Sequence, residues 1–125
     1  MLKLLQDVRA FHEACDVPVA TSLGFPSRER IELRQRLLRE EYLEWIAASS
    51  ERDMVEVADA LADMIYIIVG TALEFGIPLD RVWDEVQRSN MAKVDPVSGR
   101  VKRREDGKIL KPQGWESPRI SEALA

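Results

Sequence analysis

Apolar residues recur at helical spacing along four stretches of the chain, and proline, glycine or serine separates them. Leu4, Leu5, Val8 and Phe11 mark a first helix over roughly Leu2 to Ala14. A loop follows from Asp16 to Pro26, with Pro18, Gly24 and Pro26. Ser27 is placed to cap a second helix running to about Ala48, where Ser49 and Ser50 break the pattern. A third helix is predicted from about Arg52 to Phe75, ended by Gly76. Pro78 opens a fourth, which reaches about Lys93. Beyond Pro96, Ser98 and Gly99, two short runs flank Asp106–Gly107, a pair that favours a hairpin turn. The last residues, with Pro112 and Pro118, read as an extended tail.

The third helix carries the most information. At about 100° per residue, Val55, Val57, Leu61, Met64, Ile65, Tyr66, Ile67, Ile68, Val69 and Leu73 cover most of its circumference. A helix apolar nearly all round is a buried helix. Four helices of one chain barely surround it, which predicts a bundle completed by a second copy, in a homo-dimer or tetramer. Gly70 lowers helix stability relative to alanine. Either it admits the backbone of another helix or it is simply tolerated.

A length of 125 residues suits one domain. The pattern divides it into a helical domain over 1–98 and a basic tail over 99–125 packed on that domain. No run is apolar and long enough to span a bilayer. Lys3, Asp7 and Arg9 interrupt the apolar N-terminus, so no signal peptide is expected and the chain reads as soluble and cytoplasmic. Cys15 and His12 are the single cysteine and histidine, which excludes an internal disulfide and any site needing two histidines. From Arg100 onward, Arg100, Lys102, Arg103, Arg104, Lys108, Lys111 and Arg119 outnumber Glu105, Asp106, Glu116 and Glu122. The body is correspondingly acidic. That balance argues against a nucleic-acid-binding body. It suits a body that collects cations and a tail that touches phosphate.

The acidic residues are arranged. Glu56, Asp59 and Asp63 lie within about 60° on the third helix. Glu40, Glu41 and Glu44 lie within about 100° on the second, in the sector that also holds Leu33 and Leu37. The carboxylates therefore adjoin the apolar face instead of opposing it. Like charges one turn apart repel, and partial burial raises the penalty. A hard cation such as Mg²⁺ prefers oxygen ligands and supplies the missing charge. The alternative is a solvated acidic face with Arg34, Arg36 or Arg39 as partners. Ferritin-like di-iron bundles need Glu-x-x-His pairs, which are missing here. All-carboxylate sites favour Mg²⁺ or Mn²⁺, and clustered Mg²⁺ ions commonly serve phosphate chemistry.

The segment Glu40–Glu41–Tyr42–Leu43–Glu44, followed by Glu56–Val57–Ala58–Asp59–Ala60–Leu61–Ala62–Asp63, resembles the EExxE … ExxD signature of the all-α NTP pyrophosphohydrolases. Asp63–Met64–Ile65–Tyr66, Ser89–Asn90–Met91–Ala92–Lys93 and Gly107–Lys108–Ile109–Leu110–Lys111–Pro112 are similar to the MazG-like branch often labelled phosphoribosyl-ATP pyrophosphohydrolase-like. The resemblance extends from Phe11 to Pro118. It implies a four-helix MazG-like fold and cleavage of a nucleoside triphosphate into monophosphate and pyrophosphate, dependent on Mg²⁺ or Mn²⁺. Glu41, Glu44 and Asp63 are its implied metal ligands. Asp59 or Glu56 is the fourth, because a literal ExxD reading selects Glu56 and Asp59, whereas the MazG register ends on Asp63 and puts Ala60 where a glutamate is expected. Glu40 is a candidate base or second-metal ligand, and Glu41 shares the catalytic candidacy.

Asn90 and Lys93, three apart at the end of the fourth helix, are placed to meet phosphate or sugar, or they are an ordinary helix C-terminus. Lys108 and Lys111 are candidates to close over the phosphates, or solvated tail lysines. His12, Trp45, Trp83 and Trp115 are candidates to stack on a base, with Trp45 and Trp83 better suited to a core. Two other readings stand beside a general nucleotide hydrolase: a phosphoribosyl-ATP pyrophosphohydrolase of histidine biosynthesis, with the same chemistry, and a non-catalytic helical dimerisation module.

Overall fold

The computed structural model describes residues 1–125 and is all-α. Four main helices, α1 (Leu2–Ala14), α2 (Arg28–Glu51), α3 (Met54–Phe75) and α4 (Leu79–Met91), are followed by a short α5 (Ile120–Leu124). No single helix is long and apolar enough to cross a membrane. The chain forms two compact units, Met1–Ile77 and Pro78–Ala125.

In the first unit, α2 and α3 form an antiparallel pair. The Ser27 hydroxyl accepts the Arg30 N–H and so caps α2 as the sequence predicts. Ser49 and Ser50 do not end this helix, which continues to Glu51. Serine is tolerated near a helix end, and the stop comes from Arg52, which adopts a left-handed conformation at φ 57°. Asp53 then caps α3 by accepting the Glu56 N–H at 3.2 Å. Arg52 and Asp53 alone connect the two helices. Gly76 ends α3 at φ 68°, with the Ser22 carbonyl pressed against the place where a Cβ would stand.

Helix α1 packs on α3, with the Phe11 and Tyr66 rings edge to face at 5.6 Å and Val8 buried. The loop after α1 is tied to the end of α3: Ala20 N–H donates to Leu73 O and Gly24 N–H to Phe75 O, each at 2.9 Å. The all-round burial expected of α3 holds within the chain only toward its C-terminal end, where Val69, Gly70, Ala72, Leu73 and Glu74 are buried. Met54, Val55, Leu61, Ile65 and Ile68 are exposed.

Of the two readings of Gly70, close approach of a helix backbone or simple tolerance, neither describes what the structure shows: the space is taken by side chains. A Cβ there would stand 2.6 Å from both Arg34 Nη2 and His12 Nε2. Arg34 is long enough to cross from α2, and His12 reaches from α1, so the missing side chain makes room for two polar groups.

In the second unit, the predicted Asp106–Gly107 turn closes a minimal hairpin with one antiparallel bridge between Arg103 and Ile109. The tail is not extended throughout, because residues 120–124 form α5. The Arg119 N–H donates to Glu85 Oε1 at 2.8 Å and Arg81 donates to the Ala125 carbonyl at 3.0 Å. These contacts to α4 give the short helix a reason to form. Hydrogen bonds to the Glu85 carboxylate, from the Arg88 guanidinium first and the Arg119 N–H second, hold its pKa down at about 2.

Candidate active site

The antiparallel register of α2 and α3 pairs residues in opposite sequence order. Arg30 meets Glu74, Arg34 meets Thr71, and further along the charges of Asp63 and Asp59 act on Glu41. Both acidic rows therefore lie along the same helix–helix contact. Glu41 and Asp63 are half-buried, while Glu40, Glu44, Glu56 and Asp59 are exposed.

Burial raises the Glu41 pKa above its usual value, and the charges of Glu44 and Asp63, then Asp59, raise it further. Asp63 is raised by burial first, then by Asp59 and Glu44. The charges of Glu44 and Asp59 thus act on both Glu41 and Asp63, and that of Asp63 on Glu41. Glu40 and Glu56 do not enter this set.

Nothing compensates them. The chain forms seven ion pairs, and none involves Glu40, Glu41, Glu44, Glu56, Asp59 or Asp63. Arg34, a partner considered for an ordinary acidic face, points away. Its Nε donates to Thr71 Oγ1 at 3.1 Å, its Nη2 to the Ile67 carbonyl at 2.8 Å, and its Nη1 lies 3.2 Å from Glu74. Glu41 Oε2 is buried without a hydrogen-bond partner, which is costly for a carboxylate oxygen. No three of these side chains converge as a closed ligand set. The donor chemistry fits a hard cation nonetheless: oxygen ligands only, excess negative charge, and a buried oxygen lacking a partner.

The network of Arg30, Arg34, Thr71 and Glu74 was not legible as a unit. Glu74 gave one signal, a carboxylate inside the apolar run that ends α3. His12 is buried and its Nδ1 lies 3.1 Å from the Pro18 carbonyl, so it offers no ring for a base to stack on. Trp83, expected in a core, is exposed.

In the second unit, Asn90 Oδ1 accepts from Lys93 at 3.1 Å. Lys93 and Lys111 lie over the Trp115 ring, 5.2 and 4.7 Å from its centroid. Trp115 is itself fixed by its Nε1–H, which donates to the Ser89 carbonyl at 2.7 Å. Lys93 and Lys111 line a cavity of about 410 Å³ together with Arg100 and Lys102, two residues that sequence reasoning did not select. Lys108 is exposed at the hairpin turn and does not line it.

Residues 8–90, more than half of the chain, match the sequence profile of the family described as phosphoribosyl-ATP pyrophosphohydrolase. The chain belongs to that family. The matched span contains both acidic rows and Asn90. Membership in the phosphoribosyl-ATP pyrophosphohydrolase family points to nucleotide pyrophosphohydrolase chemistry. The chain is also similar to the mimivirus (Acanthamoeba polyphaga mimivirus) protein "Uncharacterized protein L479", at 36% identity over 52 residues. That match covers 42% of this chain, which spans about a fifth (21%) of the viral protein.

Proposed function

We infer that the protein is a Mg²⁺-dependent nucleoside triphosphate pyrophosphohydrolase. The observation that carries this reading is the uncompensated set Glu41, Glu44, Asp59 and Asp63 at the α2–α3 contact, in a chain that pairs its other buried charges. Water attacks a phosphorus atom of the α–β anhydride. The bond to the bridging oxygen breaks, releasing a nucleoside monophosphate and pyrophosphate. Glu41, Glu44 and Asp63 would hold Mg²⁺ or Mn²⁺, with Asp59 as the fourth ligand and Glu56 the alternative. When bound, the cation offsets charge on the phosphate oxygens. Glu40 or Glu41 orients the attacking water and takes its proton. Asn90, Lys93, Lys108 and Lys111 are the residues for the substrate's phosphates and sugar.

A deoxynucleoside triphosphate is the proposed substrate, since similar enzymes remove unwanted nucleotides. Phosphoribosyl-ATP is the second reading, favoured by the family's own description. Pyrophosphate release should be measured for all deoxy- and ribonucleoside triphosphates and for phosphoribosyl-ATP, each with Mg²⁺ and with Mn²⁺. Release from phosphoribosyl-ATP alone replaces the first reading with the second. Release from none leaves a non-catalytic helical module.

A further inference from the structure

The second unit concentrates charge of the opposite sign. Its cavity of about 410 Å³ is walled by residues 92–96, by Arg100 and Lys102, and by residues 110–113. Four cations, Lys93, Arg100, Lys102 and Lys111, share this lining with one carboxylate, Asp95. None of the four forms an ion pair, although Arg88, Arg104 and Arg119 in the same unit all do.

Asp95 does not neutralise them. Its Oδ1 accepts the Val97 N–H at 2.8 Å, and this bond, with contributions from Ser98 and Lys102, keeps its pKa below the usual value. The carboxylate is committed to its own turn.

The cations sit on pinned backbone. Asp95 N–H donates to Arg100 O and Gly99 N–H to Asp95 O, both at 2.8 Å. Leu110 N–H donates to Lys102 O at 2.7 Å, across the hairpin. Trp115 gathers the Lys93 and Lys111 ammonium groups. Val94, Pro96, Leu110 and Pro112 complete the lining, and cations gathered in one cleft repel one another and attract an anion. The volume suits a small ligand, within the range of about 300–1,000 Å³ typical of such sites.

We propose that this cavity binds a linear polyphosphate anion through Lys93, Arg100, Lys102 and Lys111, without a metal ion. Free pyrophosphate and the phosphate chain of a nucleotide share this chemistry. The inference adds Arg100 and Lys102 to the phosphate-binding residues and stands whether or not the protein hydrolyses nucleotides.

The test is calorimetric titration of the full chain in EDTA with inorganic pyrophosphate, inorganic triphosphate, a deoxynucleoside triphosphate and the matching nucleoside. A Trp45→Phe, Trp83→Phe variant allows Trp115 emission to report the same event. Saturable binding of the phosphate compounds and none of the nucleoside is expected. Tighter binding of the nucleotide than of inorganic triphosphate identifies a nucleotide as the occupant, and equal binding identifies the free phosphate chain. Arg100→Gln and Lys102→Gln should each weaken binding about tenfold, or ~1.4 kcal/mol, with Lys102→Arg restoring it. Glu41→Gln should leave it unchanged. Absence of saturable binding, or full affinity in both glutamine variants, overturns the proposal. Binding without turnover sinks only the hydrolase reading.

Discussion

Arg34 Nη1 lies 3.2 Å from Glu74, a carboxylate whose side chain is fully buried. Arg30 reaches the same carboxylate from the preceding turn of α2, at 2.8 Å. The second Glu74 oxygen is near enough to Arg34 for charge pairing but outside hydrogen-bond geometry. Burial lowers the Arg34 pKa from its usual value, and the Glu74 charge opposes that effect. This end of the α2–α3 pair is thus held by opposite charges, and the Glu41–Asp63 end concentrates like ones.

Glu74→Gln should therefore destabilise the protein by about 3 kcal/mol, since removing one partner leaves Arg34 buried with its charge uncompensated. Chemical denaturation of wild type and variant checks this. Unchanged stability would mean that Arg34 finds another partner.

Gly70→Ala gains about 1 kcal/mol of helix propensity, but its Cβ meets Arg34 and His12 at 2.6 Å. Both neighbours are tethered, Arg34 to Ile67 O and His12 to Pro18 O. Overpacking of about 1–3 kcal/mol should outweigh the gain and lower Tm. A higher Tm would show that the tethers yield.

Glu41→Gln removes charge from a repelling set, so Tm in EDTA should hold or rise while turnover falls by about 100-fold. Asp63→Asn should lose nearly all activity, Asp59→Asn much of it, and Glu56→Gln least. Initial rates across Mg²⁺ concentration separate ligands from bystanders, because a lost ligand raises the Mg²⁺ requirement. If Glu56→Gln were the most damaging and Asp63→Asn nearly silent, the literal ExxD register would hold.

Glu85 sets a pH dependence with a definite sign. Its folded pKa, about 2, lies below the ordinary 4.5. Its contribution to stability is complete above the ordinary value and is lost as pH falls from there toward the folded one. The Tm of wild type should drop more steeply across that acid range than the Tm of Glu85→Gln. Parallel curves would show that the Arg88 and Arg119 contacts add nothing.

Met54, Val55, Leu61, Ile65 and Ile68 leave an apolar surface on α3. A protein of this size should cover it with a second copy. Sedimentation at micromolar concentration is expected to give a dimer or tetramer. A stable monomer would refute that, and Leu61→Glu with Ile65→Glu should push the equilibrium toward monomer.

The helices were legible because their periodicity and caps agree. Ser27, Gly76 and the Asp106–Gly107 turn all act as their residue types predict. The end of α2 was not, because Arg52 takes a left-handed conformation that its residue type does not announce. Helix α5 was missed because its contacts come from α4, far away in sequence. The acidic rows could be read from spacing alone. Their isolation from arginine could not, since Arg34 lies two turns before Glu41 on the same face of α2 and only tertiary contact with Glu74 decides where it points.

Arg52 and Asp53 carry a further consequence. A two-residue link sets the rotational phase of α3 against α2 as well as their direction. One inserted residue would turn α3 by about 100° relative to its partner, sending Asp59 and Asp63 away from Glu41 and Glu44 while every side chain stayed intact. Relatives that keep both acidic rows should vary the identity of those two residues far more readily than their number. The meeting of the two acidic rows is stored, in effect, as a loop length.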